Sequence, residues 1–313
     1  CLVLAKMEPY SPRVSWVLMQ PFPPARVATV KSQSCWVGRR RERLLLLLVQ
    51  GASLVACQAK KAKALKVKPQ KPKPLKPQTK RNSPSAVPVC APEDIFSLDV
   101  ECVAVGKTHE KSDRMPCSYA LVDGHGACVK RTLIQPSRNV VSYLTPFTGL
   151  RPGDLDSQNA LSIDRARREL QELLPRRAIL VGQEPQGDIE WMSLREGQDF
   201  TGSINLSEVF TNDKGMVFSL RHEARVLLGR EPDSSVHDPC WDAKVSIELY
   251  RLASAASPKE LAALREKLTK KEFWPPKPSL AKQCGYQLDG VCLSMYGAEH
   301  CICGRPVVMP NKH

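Results

Sequence analysis

In the segment IFSLDVECVAV, residues 95 to 105, Asp99 and Glu101 sit two positions apart inside an apolar run. Side chains alternate across a strand, so both carboxylates leave from the same face. Two like charges this close on a mostly buried strand repel each other and are costly to desolvate, and a bound divalent cation is the natural compensation. An edge strand with one wet face would hold such a pair equally well, so the pair by itself decides little. Two further stretches add to it. Asp188 follows the apolar run AILVG, in Gly187-Asp188-Ile189-Glu190-Trp191, where a helix is expected to begin. The segment VHDPCWDAKVSIELY carries His237 and Asp242. With Asp238 as N-cap and Pro239 as first helical residue, His237 lies just outside this helix and Asp242 one turn inside, a geometry from which both can point toward one site. A histidine joined in this way to a set of carboxylates reads as a general base.

The elements that must position these groups can be read from periodicity. Residues 95 to 105 are expected to form a strand. Residues 119 to 122 and 127 to 134, joined by Asp123-Gly124-His125-Gly126, are expected to form a hairpin. Ser162 to Leu174 places Ile163, Ala166, Leu170, Leu173 and Leu174 on one helical face, and Ala178 to Val181 is a short buried strand. Ser219 to Leu228 is a helix stopped by Gly229, another runs from Asp238 to about Ser254, and a strand is expected over Ser203 to Phe210. Strands and helices in this order make a mixed α/β layer fold.

Five segments in this order resemble a known family. FSLDVECVAVG, YLTPFTGLRPGDL, ILVGQEPQGDIEWM, FSLRHEARVLLG and SSVHDPCWDAKVSIELY are similar to the successive motifs of the DEDDh superfamily of 3'-to-5' exonucleases. The similarity is greatest to the branch that contains the nucleolar RNA exonucleases and the interferon-stimulated exonuclease. It covers residues 95 to 250, half of the chain. It implies an RNase H-like fold, a mixed five-stranded sheet flanked by helices. It also gives Asp99, Glu101, Asp188 and Asp242 the acidic, metal-holding roles and His237 the histidine role. Cys102 stands where the branch usually has Met, Leu144 where an Arg usually follows the Tyr, and Gln183 where a His commonly follows Val-Gly. Cys102 and Leu144 fall where the family contacts the terminal nucleotide, so they bear on the choice of RNA over DNA.

The implied reaction is hydrolysis of single-stranded RNA from its 3' end to nucleoside 5'-monophosphates, in RNA processing or decay. The alternatives are a single-stranded DNA exonuclease and a catalytically silent nucleic-acid-binding or assembly protein of the same fold. Two Mg²⁺ or Mn²⁺ ions, about 3.5 to 4 Å apart, would be held by the carboxylates and would stabilise both the attacking and the leaving oxygen. Hard cations suit an all-oxygen ligand set, whereas zinc would draw more His or Cys.

The charge distribution separates this region from what precedes it. The chain has 313 residues and a net charge of +14, yet residues 1 to 90 hold 18 Lys and Arg against only Glu8 and Glu42. The remaining 223 residues hold 28 basic and 30 acidic ones. Residues 58 to 90 are rich in Lys and Pro, with Lys60, Lys61, Lys71 and Lys73 among the basic positions. Such a run cannot bury enough apolar surface to fold, and is expected to be a disordered basic linker adding salt-sensitive attraction to nucleic-acid phosphates. A nuclear or nucleolar import signal is a second use of the same residues. Within residues 1 to 57, Leu44 to Ala56 follows an arginine cluster and is too short to span a bilayer. An organelle leader, for a mitochondrion or another compartment, is the competing address. Met7 and Met19 are candidate starts.

The exonuclease domain is accordingly placed at 91 to 256. Residues 257 to 313 follow as a charged helix and a tail with Cys284, Cys292, Cys301 and Cys303. The spacings of these four match no zinc knuckle. The other eight cysteines are scattered, which does not suggest a disulfide framework and points to a reducing compartment.

Overall fold

The computed structural model describes residues 84–298 and 301–306. Lys60, Lys61, Lys71 and Lys73, the Leu44 to Ala56 stretch and the expected linker up to residue 83 lie outside the described residues. Strands β1 (Ile95–Ala104), β2 (Arg114–Asp123) and β3 (Cys128–Gln135) form an antiparallel meander, closed between β2 and β3 by the expected turn, where Gly126 has φ of 86°. A two-residue strand, β4 (Leu161–Ser162), lies parallel to the outer edge of β3. On the other side of β1 run β5 (Ile179–Gly182) and β6 (Gly202–Asn205), both parallel to it. The order is β4-β3-β2-β1-β5-β6. The sheet is mixed, as expected, with six strands rather than five because the short β4 joins its edge. The last strand also stops earlier than the sequence suggests. Asn205 accepts a hydrogen bond from the Ser207 N–H and so caps a new helix, and the apolar residues that follow turn helical.

Helices cover both faces. In chain order they are α1 (Thr145–Thr148), α2 (Ile163–Leu173), α3 (Gln186–Trp191), α4 (Leu206–Val209), α5 (Leu220–Glu223), α6 (Pro239–Ala255), α7 (Pro258–Lys267) and α8 (Leu280–Gln283). α5 runs on as a π-helical turn over Ala224–Leu228 and ends at Gly229, whose φ of 66° is the left-handed value that glycine takes without penalty. Ser162 caps α2, and Ala166, Leu170 and Leu174 enter the core. Leu173, expected on that face, is exposed instead, because Leu174 lies one full turn beyond Leu170 and takes the inward position.

Two apolar clusters flank the sheet. Phe96 and Leu98 of β1 pack with Ala166, Leu170 and Leu174 from the α2 side. Ile95 packs with Val245 and Leu249 of α6 on the other side. Each fully buried leucine of this kind contributes about 1.5–3 kcal/mol relative to exposure. The alternation places Asp99 and Glu101 with Ile95, facing α6. Leu261 and Leu268, beyond the boundary read at residue 256, lie in this same α6-side cluster, and Val87 joins it from the stretch read as linker. The Tyr250 hydroxyl lies 3.0 Å from both the Pro88 carbonyl oxygen, to which it donates, and the Cys90 N–H, from which it accepts. The C-terminal residues add a small hairpin of β7 (Gln287–Leu288) and β8 (Val291–Cys292), packed on Ala104 of β1 and on α1. No helix among the described residues is long and apolar enough to cross a membrane.

Candidate active site

β1 and β5 pair only through Ile95↔Ile179 and Phe96↔Leu180, after which they separate. Such a parting of neighbouring strands leaves a crevice at the strand ends. It also leaves main-chain donors of β1 without a strand partner. Asp188, in the first turn of α3, supplies one: its Oδ1 accepts the Val100 N–H at 3.1 Å. A shift in the β1–β2 register falls between Glu101 and Cys102, a bulge that re-aims side chains locally.

The third component comes from the start of α6. The Asp238 side chain accepts from the Cys240 N–H and Pro239 opens the helix, so the capping geometry expected from the sequence is present. Asp242, 5% exposed, follows in the first turn. The His237 N–H donates to the Phe147 carbonyl oxygen at 2.7 Å. His237 Nδ1 then lies 3.8 Å from Glu101 Oε1 and 3.7 Å from Asp242 Oδ2. Asp99, Arg221, His237 and Asp242 line one cleft of about 590 Å³. Residues 99, 101, 188, 237 and 242 therefore come together across 143 positions of chain.

Their protonation is governed by burial and by one another. Burial, then Asp242, Glu101 and Asp188, hold the Asp99 carboxyl well above the ordinary range. Burial followed by Asp242 and Asp188 raises Glu101 to about 8. Asp188 also rises to about 8 through burial, opposed by the hydrogen bond from Val100. Asp242 rises to about 6 through burial, with Arg221 opposing. Among the described residues, no lysine or arginine makes an ion pair with any of the four. A set of buried carboxylates without cationic side-chain partners fits divalent cations bound through oxygen, which would replace the missing counter-charge. The His237 imidazole goes the other way, pushed down to about 4 by burial and then by the Arg221 guanidinium. It is half-exposed on the cleft side and uncharged near neutrality.

Two of the expected contact residues behave differently. Leu144 is 1% exposed and packs with Phe147, Val291 and Leu293. It has φ of 49° and caps α1, so its backbone shapes the turn while its side chain is withheld from any ligand. Cys102 is partly buried beside the bulge, and burial pushes its thiol well up, which keeps it protonated. Gln183 lines the same cleft, where it donates to the Phe218 carbonyl oxygen at 2.7 Å and to Glu223 at 3.4 Å.

Arg221 was not singled out by spacing or charge pattern. Its guanidinium donates to the carbonyl oxygens of Ser235 at 3.1 Å and Val236 at 3.0 Å, which pins the chain leading into His237. Phe147 was also missed, and its ring lies 6.1 Å from that of His237. Both act through backbone contacts, which leave no trace in residue spacing.

No protein-family model matches the chain. Human RNA exonuclease 5 is 31% identical over 173 residues, which make up 54% of this chain and 21% of that protein. Human RNA exonuclease 4 is 29% identical over 159 residues, 50% of this chain and 36% of that protein. The chain thus spans about a fifth to a third of the length of these relatives. Among solved structures, the Pan2 catalytic unit of Neurospora crassa superposes with a TM-score of 0.46 at 23% identity, covering 59% of this chain and 31% of that one. The Pan2 module of Saccharomyces cerevisiae in complex with AAUUAA RNA gives 0.47 at 20% identity, covering 60% and 34%. The ordered motifs, the mixed sheet and the sequence relatives agree: over its central half this chain resembles the DEDDh exonucleases of RNase H-like fold and is similar in sequence to RNA exonucleases 4 and 5.

Proposed function

We propose that this chain is a metal-dependent 3'-to-5' exonuclease that shortens single-stranded RNA and releases nucleoside 5'-monophosphates. The observation that carries this reading is the approach of Glu101 and Asp242 to one nitrogen of His237, at 3.8 and 3.7 Å, in a cleft that Asp99 also lines. Asp99, Glu101, Asp188 and Asp242 are the groups that would hold two Mg²⁺ or Mn²⁺ ions. When bound, such ions supply charge stabilisation at the attacking and departing oxygens.

The residues of the chain do the rest. His237 is neutral near pH 7, with a lone pair to take the proton of the attacking water. Arg221 holds the Ser235 and Val236 carbonyls and so fixes where the imidazole stands. The basic residues upstream, with Lys60, Lys61, Lys71 and Lys73 among them, would strengthen binding to the strand without choosing its sequence. A nuclear or nucleolar address is proposed on the same basic run.

The deciding experiment follows 5'-labelled and 3'-labelled single strands, RNA and matched DNA, with Mg²⁺, with Mn²⁺ and with chelator. A ladder receding from the 3' end, mononucleotide release, RNA degraded faster than DNA and loss with chelator are expected. Degradation from the 5' end, or turnover indifferent to divalent cations, overturns the reading. Equal or faster turnover of DNA overturns the substrate assignment, since contacts to the 2'-hydroxyl are what would favour RNA.

A further inference from the structure

A second group of metal-binding side chains lies away from the carboxylates. His109 sits in the loop between β1 and β2, while Cys292 and Cys303 come from the C-terminal residues, 183 and 194 positions further along the chain. His109 Nδ1 is 3.6 Å from Cys292 Sγ and 3.2 Å from Cys303 Sγ, and the three ligand atoms all lie within 4.8 Å of one another. A tetrahedral zinc with its usual bond lengths separates a sulfur from a nitrogen ligand by about 3.5 Å. His109 Nε2 meets the Pro306 carbonyl oxygen at 3.0 Å. A carbonyl only accepts, so the ring proton is on Nε2 and the Nδ1 lone pair faces the two sulfurs. A backbone carbonyl on the far nitrogen is the arrangement that orients a metal-bound imidazole. Cys292 Sγ also lies 3.1 Å from the Ser294 hydroxyl, which can donate to a thiolate.

We propose that His109, Cys292 and Cys303 bind a zinc ion, with the fourth position open to water or another donor. The ligand set selects the metal: thiolate and imidazole suit zinc and reject Mg²⁺ and Mn²⁺. This site is independent of the carboxylate cleft and of the nuclease reading. Its backbone is already fixed, since the Cys292 N–H donates to the Lys107 carbonyl oxygen at 2.9 Å and Arg114 donates to the Cys292 carbonyl oxygen at 2.7 Å. His109 and Cys292 are buried, at 8% and 0% exposure, while Cys303 is partly exposed and leaves the fourth position within reach of solvent. The zinc closes a loop of nearly two hundred residues and ties the C-terminal residues to the sheet. Four positions past Cys292, the Tyr296 ring stacks on Phe147 at 5.9 Å, and Phe147 in turn accepts the His237 N–H. The clip therefore steadies the turn that holds the His237 backbone.

The test is metal analysis of the full chain purified under reducing conditions and dialysed against Mg²⁺. About one zinc per chain is expected. His109→Ala, Cys292→Ser and Cys303→Ser should each lose most of it, whereas Asp99→Asn should keep it. Cobalt(II) exchanged into the protein should show a thiolate-to-cobalt charge-transfer absorption that Cys303→Ser removes. Cys303→Ser is the variant least able to disturb the sheet, and its circular dichroism should match the parent. A chain free of zinc overturns the proposal, with two fewer titratable thiols identifying a Cys292–Cys303 disulfide in its place. Zinc lost from Asp99→Asn and retained in the ligand variants overturns it as well.

Discussion

The Asp188 carboxylate accepts the Val100 N–H at 3.1 Å, from a residue 88 positions away, at the place where β1 has parted from β5. One side chain thereby does two jobs: it replaces a missing sheet hydrogen bond and brings a negative charge to the carboxylate group.

These jobs separate by substitution. Asp188→Asn keeps an amide oxygen for Val100 and loses the charge, whereas Asp188→Ala loses both. Both variants should be inactive to within the usual limits of detection, but only Asp188→Ala should lose stability, by about 1–3 kcal/mol for an unsatisfied buried donor. Denaturant unfolding of the two variants checks this. Equal stability would mean that water replaces the carboxylate at Val100.

Asp99→Ala and Asp242→Ala should each lower single-turnover rates by several orders of magnitude. The double variant should be scarcely slower than either, because groups that hold metal together act as a unit. Multiplicative losses would show that the two carboxylates act separately.

The raised carboxylates make the metal-free protein less stable as pH rises. Glu101 and Asp188 titrate at about 8 in the folded chain, against about 4 for ordinary carboxylates. Between those limits the native state holds protons that the unfolded chain has released, so stability falls with rising pH and levels above about 8. After dialysis free of Mg²⁺ and Mn²⁺, Tm should decline from about pH 5 to 8. Mn²⁺ should raise it more at the upper end of that range. Asp242→Asn should raise the metal-free Tm at the same pH while abolishing activity. A metal-free Tm that climbs with pH would contradict the burial and repulsion assigned to these groups.

His237→Ala should cost roughly 10²- to 10⁴-fold in rate, the range for a lost general base, with Mn²⁺ binding preserved. The imidazole titrates at about 4 in the folded chain, so its contribution to the rate rises as pH passes upward through that value and is level near neutrality. A wild-type rate that climbs tenfold per pH unit between about 6 and 8, with metal saturating and chemistry limiting, would assign the proton to another group.

The residues of the candidate site were legible in the sequence because each sits in a local pattern with a physical cause. Strand alternation puts Asp99 and Glu101 on one face, and the Asp238-Pro239 cap places His237 outside and Asp242 inside a helix start. These effects act over a few residues, and the sequence determines them. What brings Glu101 within 3.8 Å of His237 is the packing of α6 across the sheet. That follows from apolar burial summed over both cores, and no local spacing contains it. Tertiary packing likewise turned Leu144 inward, recruited Leu261 and Val87 to the α6-side core, and set Arg221 against the carbonyls before His237. His109 and the two cysteines mark the limit of sequence reading most plainly. Zinc knuckles are recognised by ligands a few residues apart, whereas these ligands are separated by 183 and 194 residues and meet only because the C-terminal residues fold back onto β1 and the loop that follows it.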